Sequence, residues 1–182
     1  MEITQWVPAP GDGVPAALAE ILHSCVHHGA SVGFILPFPM EAAEAYWRES
    51  VQPRVEAGER VLLLAKLDDC IMGTVQLDTA TMPNQVHRAD VMKLLVHPGA
   101  RRRGIARALM LAVEREAGIR NRTLLTLDTG AKDSAEPLYL DLGYIRVGEI
   151  PGYSRAPNAA ILEPTVILYK QLPEAAGNQR PA

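Results

Sequence analysis

Residues 91–112, VMKLLVHPGARRRGIARALMLA, constrain the fold more than any other stretch. The run 91–96 is apolar except for Lys93 and is too short for a helix. Pro98 and Gly99 end it. From Ile105 onward Ala108, Leu109, Ala112 and Val113 recur on one helical face, with Arg107 and Glu114 opposite. A buried strand that feeds an amphipathic helix through a short loop needs sheet neighbours for the strand and a sheet face for the helix, so the chain is α/β. The loop itself, Arg101-Arg102-Arg103-Gly104-Ile105-Ala106, opens a helix. The first N–H groups of a helix lack intrahelical acceptors and sit at the positive end of its dipole. Arginines placed there oppose that dipole, and a bound anion relieves them. Glycine and alanine let such an anion approach the backbone.

What the loop lacks narrows the anion. No G-x-x-x-x-G-K-[ST] occurs, so this is not the lysine-bearing phosphate loop of nucleotide hydrolases, and no G-x-G-x-x-G marks a dinucleotide site. A formal net charge of −3 argues against a nucleic-acid binder and makes the arginine cluster a local feature. With 182 residues, 48% of them hydrophobic, the chain can bury its own core. We expect one domain over residues 1–172 and a disordered tail over 173–182. Cys25 and Cys70 read as reduced structural thiols of a cytoplasmic protein. No leader pattern is expected at the start, and no apolar run approaches the ~18 residues of a membrane span.

Periodicity and turn residues order the remaining elements. Residues 3–7 form a strand, closed by Pro8, Pro10 and the turn around Asp12. Residues 14–28 form a helix with Gly29 as its C-cap. Residues 30–39 are a hydrophobic loop of the kind that folds over a ligand. Residues 41–57 form a second helix. Strands 60–67 and 71–77 pair around Asp68 and Asp69, with a bulge at Gly73. Strand 87–96 enters the arginine loop and helix 102–118 leaves it, with Glu116 on the apolar face at a fraying end. Strand 123–127 closes at Asp128, Thr129 and Gly130. Helix 132–142, capped by Ser134 or Asp133, stops at Gly143. Strand 144–149 breaks at Pro151 and Gly152, 154–158 is loop, and 165–170 is the last strand. The order is β-α-α-β-β-β-α-β-α-β-β.

Two segments carry a family resemblance. Leu95-Val96-His97-Pro98 followed by Arg101-x-x-Gly104-x-Ala106 resembles the acetyl-coenzyme A signature of the GNAT N-acetyltransferases. Tyr139-Leu140-Asp141-Leu142-Gly143-Tyr144 is similar to that family's Tyr-x-x-x-Gly-(Phe/Tyr) run. Segments 29–34, 88–94, 127–129 and 146–153 resemble the tabtoxin-resistance acetyltransferases within the family. The resemblance implies the GNAT fold: a twisted, mostly antiparallel mixed sheet of about seven strands flanked by four helices. It implies acetyl-CoA as co-substrate, no metal, and direct acetyl transfer to the amine of a small molecule. Its finer part implies resistance to an amino-acid toxin such as tabtoxinine-β-lactam.

The resemblance also assigns roles. The backbone of Arg102, Arg103, Gly104, Ile105, Ala106 and Arg107, flanked by Arg101 and Ser134, would bind the coenzyme's phosphates. Leu94, Leu95 and Val96 would pair with the pantetheine arm, the amide of Leu95 or Val96 polarising the thioester carbonyl. The strands would splay at Lys93 and Thr126. Tyr139 would protonate the leaving thiolate, a task for a phenol that stays protonated at neutral pH. The expected partner is a small-molecule amine, with no nucleic acid and no membrane, for a monomer or homodimer.

An amine nucleophile arrives protonated, so transfer needs Asp128, Asp90 or a water as base. The plain alternatives are a turn role for Asp128 and an ion pair with Arg88 or Lys93 for Asp90. Ser31, Val32, Gly33 and Phe34 are expected near the acceptor. The same segment matches G-x-S-x-G, but a hydrolase elbow with Ser31 as nucleophile needs a strand before it. A further alternative is a module that holds acetyl-CoA without turnover. His23 and His27 have metal-compatible spacing but no third ligand, so we expect an exposed pair. Tyr46 and Trp47 either line the acceptor pocket or pack in the core.

Overall fold

The computed structural model describes residues 1–131, 135–158 and 160–173. Its strands are β1 (Glu2–Gln5), β2 (Arg60–Leu67), β3 (Cys70–Asp78), β4 (Arg88–Val96), β5 (Leu124–Gly130), β6 (Ile145–Arg155) and β7 (Leu162–Gln171). They form one sheet in the order β1-β2-β3-β4-β5-β7-β6. Among these sheet neighbours only β4 and β5 run parallel, and the helix between them makes the crossover that a parallel pair requires. The helices are α1 (Val14–His27), α2 (Met40–Ala45), α3 (Gln52–Glu56), α4 (Ile105–Ile119) and α5 (Glu136–Asp141). A π-helical turn, Tyr46–Val51, joins α2 to α3, so among the described residues the runs longer than a 3-10 turn number four, as the element order predicts.

The sheet carries a core on each face. Ile105, Leu109, Met110 and Val113 of α4 pack with Tyr139 of α5 against Val75, Leu77, Val91, Leu125, Val166 and Leu168. On the other face Leu18, Ile21 and Leu22 of α1 pack with Trp47 against Leu62, Leu64 and Leu95. Trp47 is fully buried there, and Tyr46 is held by Phe34 and by Gln76, whose Nε2 donates to the phenol oxygen at 3.3 Å. Both aromatics are therefore core residues.

Several elements differ from expectation for identifiable reasons. The second helix is not uniform: Pro53 has no N–H to return to residue 49, and the turn before it widens so that Gln52 N bonds Trp47 O. Helix α4 starts at Ile105 rather than near 102, because Arg102 (φ +63°) and Gly104 (φ +80°) are left-handed. It ends in a Schellman motif with Asn121 at φ +56°, where Arg122 N bonds Ala117 O at 2.9 Å. Glu116 therefore lies inside an intact helix and pairs with Arg120. Strand β6 runs through Pro151 and Gly152 without a break. It is an edge strand, and its register against β7 shifts between Ile150 and Ser154, so Pro151 owes the ladder no donor. The bulge near Gly73 belongs to Met72, between the pairs Ala65–Gly73 and Lys66–Ile71. Residues 132–134, including both candidate caps, and the tail from 174 onward lie outside the described residues.

Three weak acids, Cys25 and Tyr144 buried and Tyr46 half-buried, bear on stability. Burial raises the pKa of the Cys25 thiol and the Tyr46 and Tyr144 phenols, most strongly at Tyr144, where Glu114 adds to it. Unfolded, these groups lose protons near pH 9–10; folded, they keep them. Above that range the native state holds more protons, so stability falls with rising pH, by up to about 1.4 kcal/mol per pH unit for each group. Urea midpoints at pH 8 and pH 10.5 should show this drop, and Tyr46→Phe should reduce it. Equal midpoints at the two pH values would contradict the prediction.

Candidate active site

The site follows from one interrupted pairing. β4 and β5 are hydrogen-bonded only where Arg88–Asp90 faces Leu124–Thr126. Beyond that point β4 stays with β3, as far as Val96 opposite Gly73, and β5 stays with β7, as far as Gly130 opposite Thr165. A bulge in β4 coincides with the divergence: Met92 pairs with Gln76 and Leu95 with Thr74, leaving Lys93 and Leu94 together opposite Val75. The wedge between the two strands opens a cavity of about 890 Å³.

One wall is the arginine loop and the start of α4. Arg101, Arg102, Gly104, Ile105, Ala106 and Arg107 line it. No side chain caps the helix, and its first backbone bond runs from Ala108 N to Gly104 O at 3.1 Å. The amides of residues 105–107 therefore have no acceptor within the helix. A methyl built on Gly104 would meet nothing within 4 Å, so the approach to these amides is open. This arrangement fits a pyrophosphate. Arg103 is exposed and does not reach the cavity wall. Ser134 lies outside the described residues.

The second wall is the free edge of β4, with Leu94, Leu95 and Val96 lining the cavity. Cys25 of α1 also lies here, its thiol donating to Val96 O at 3.4 Å. Its raised pKa reflects burial, opposed by the nearby Arg101 guanidinium. Tyr139 enters from α5, 6% exposed, with its ring centroid 5.9 Å from that of Tyr144. Gly143 (φ +85°) ends that helix, and Tyr144 N bonds Tyr139 O at 3.0 Å, which fixes the backbone carrying the phenol.

The two candidate carboxylates separate. Asp128 is not a turn residue: it lies within β5, paired with Ile167, exposed and on the cavity wall. Asp90 is not on that wall. It sits where the strands are still paired, accepting a hydrogen bond from Thr126 Oγ1 and an ion pair from Arg88 at 3.1 Å. Its oxygens serve the closed end of the wedge.

Ser31, Val32 and Gly33 line the cavity from the loop between α1 and α2. Phe34, expected beside them, turns into the core, with its ring 4.6 Å from Phe38 and 5.2 Å from Tyr46. The segment 29–33 follows α1 directly, closing it with Ala30 N bonded to Cys25 O at 3.0 Å, so no strand-to-helix elbow presents Ser31. His23 and His27 stack on each other at 4.0 Å, and the described residues contain no cluster able to hold a metal. Sequence reasoning gave Lys93 only a place at the splay, took Cys25 as a structural thiol, and named no site role for Tyr153 and Ser154 of β6 or Glu163 and Thr165 of β7, which also line the cavity. The interruption of an apolar strand by Lys93 was the one local signal.

The GNAT acetyltransferase domain model matches residues 26–152, and the chain belongs to this family. It is 32% identical over 122 residues to the uncharacterized N-acetyltransferase of the hisH–hisA intergenic region of Azospirillum brasilense, covering 66% of this chain and 70% of that protein. Among the solved structures that share the fold are two bacterial acetyltransferases. One is the ribosomal-protein-alanine N-acetyltransferase of Brucella melitensis: TM-score 0.77, 17% identity, 94% of this chain and 100% of that one. The other is yncA of Salmonella typhimurium, solved with its cofactor acetyl-CoA: TM-score 0.74, 18% identity, 96% of each chain. Among the described residues no helix is long and apolar enough to cross a membrane.

Proposed function

We propose that this protein transfers the acetyl group of acetyl-CoA to the amine of a small molecule by direct attack. One observation carries the reading: the uncapped start of α4, the free edge of β4, Tyr139 and Asp128 all line the same cavity. Acetyl-CoA supplies a thioester carbonyl and a thiol leaving group. The amides of residues 105–107 hold its phosphates, and the edge of β4 orients the pantetheine arm. The amide of Leu95 or Val96 donates to the carbonyl oxygen as charge develops there. Asp128 takes a proton from the acceptor amine, directly or through a water. As the C–N bond forms and the C–S bond breaks, Tyr139 gives its phenolic proton to the departing sulfur. The tabtoxin-resistance resemblance of segments 29–34 and 146–153 extends the proposal to an amino-acid-like toxin as acceptor, acetylated in the cytoplasm. Ser31, Val32, Gly33 and Tyr153 of those segments line the cavity, which supports an acceptor role for them.

A thiol-release assay over a panel of small amines tests the proposal. We expect saturable release with at least one amine. Protein that neither binds acetyl-CoA nor releases thiol with any member of the panel overturns it.

A further inference from the structure

Lys93 is costly where it stands. It is a non-glycine residue at φ +51° inside a strand, a left-handed conformation that strains a side chain bearing a Cβ. Its side chain is half-buried on the cavity wall, and its ammonium makes no hydrogen bond or ion pair among the described residues. Burial lowers its pKa, as does Arg60, and the Asp128 carboxylate draws it partly back. A partly buried ammonium without a hydrogen-bonded counter-ion is unfavourable unless a ligand supplies one.

The bulge determines which way this charge points. Before it, Ala89 and Val91 pack under α4; after it, Leu94 and Val96 pack against that same core. Lys93, the extra residue, turns to the opposite face: its Nζ lies 3.6 Å from where a Cβ on Gly33 would stand. The ammonium therefore faces the loop between α1 and α2, whereas the uncapped amides of α4 belong to the other layer. The anion it meets is not the one held by α4.

We propose that Lys93 binds the carboxylate of an amino-acid-like acceptor and so directs that acceptor's amine toward Asp128. The assignment rests on the acetyl-transfer reading above. Its chemistry is that of a zwitterion: Lys93 and the Ser31 hydroxyl face the carboxylate, and Asp128, across the wedge on β5, faces the ammonium. The left-handed bulge is what brings a cation into a strand that is otherwise apolar here.

Matched acceptor series test it: α-amino acids, their carboxamides and their decarboxylated amines, assayed for thiol release. Wild-type protein should prefer the carboxylates by about tenfold or more in kcat/KM, the scale of one charged hydrogen bond. Lys93→Met should bring that ratio close to one, mainly through KM for the acids, and Lys93→Arg should keep most of it. Acetyl-CoA binding by calorimetry shows that each variant is folded. If Lys93→Met fails to fold, the wild-type ratio and Lys93→Arg decide. Equal use of acids and amides by wild type, or an unchanged ratio in Lys93→Met, overturns the inference while acetyl transfer stands. No release with any amine overturns both.

Discussion

Replacing Tyr139 by phenylalanine should lower kcat by about 10²-fold or more while leaving acetyl-CoA affinity within a few-fold of wild type. The ring is buried against Tyr144 in the core under α4, and phenylalanine preserves that packing. What is lost is one hydroxyl on the cavity wall, and with it the proton proposed for the leaving sulfur. General-acid contributions of this kind run to about 10²–10⁴ in rate. The coenzyme's phosphates are bound elsewhere, at the start of α4, so binding should not follow turnover. Steady-state kinetics at saturating acceptor, with calorimetry for acetyl-CoA, separate the two. Full turnover in Tyr139→Phe removes the acid assignment. A parallel collapse of affinity and rate would instead make Tyr139 a structural residue of the cavity.

The part of the site legible in the sequence is the part built by neighbours along the chain. The arginine loop ends at Gly104, whose left-handed conformation starts α4, and Gly143 ends α5 just beyond Tyr139. Such punctuation acts over a few residues and leaves a readable trace. The parts that were not legible depend on distant pairing. Asp128-Thr129-Gly130 reads as a turn, yet all three residues are extended because Ile167, Val166 and Thr165 of β7 pair with them. The left-handed bulge at Lys93 has no glycine to announce it; it arises where β4 must follow β3 while leaving β5. Phe34 sits in a loop that looks ligand-facing, and only the fold supplies Phe38 and Tyr46 to pack it inward. Asp90 and Asp128 are equivalent candidates by composition, and they separate only because the wedge opens between them.

Gly73 ties that wedge to the stability of the whole chain, and substituting it should have the largest structural effect. A Cβ at this position would stand 2.9 Å from Ile105 Cγ2, 3.0 Å from the Leu95 carbonyl oxygen and 3.2 Å from Leu109 Cδ1. Ile105 and Leu109 are the first turns of α4, and Leu95 lies on the β4 edge, so the missing side chain is what lets the helix settle directly on the sheet. The carbonyl is backbone, and Ile105 is 1% exposed, so neither can step aside cheaply. Gly73→Ala should cost about 1–3 kcal/mol, and Gly73→Val more. The same methyl separates the start of α4 from β4, the two elements proposed to hold the phosphates and the pantetheine arm, so acetyl-CoA affinity should fall together with stability. Gly118→Ala is the control: it lies in α4 with ordinary helical backbone and nothing within 4 Å of the new methyl. It should be neutral or stabilising by up to about 1 kcal/mol, with affinity unchanged. Urea midpoints and calorimetry on the variants decide the matter. A Gly73→Ala protein with wild-type midpoint and affinity would show that α4 does not approach the sheet this closely.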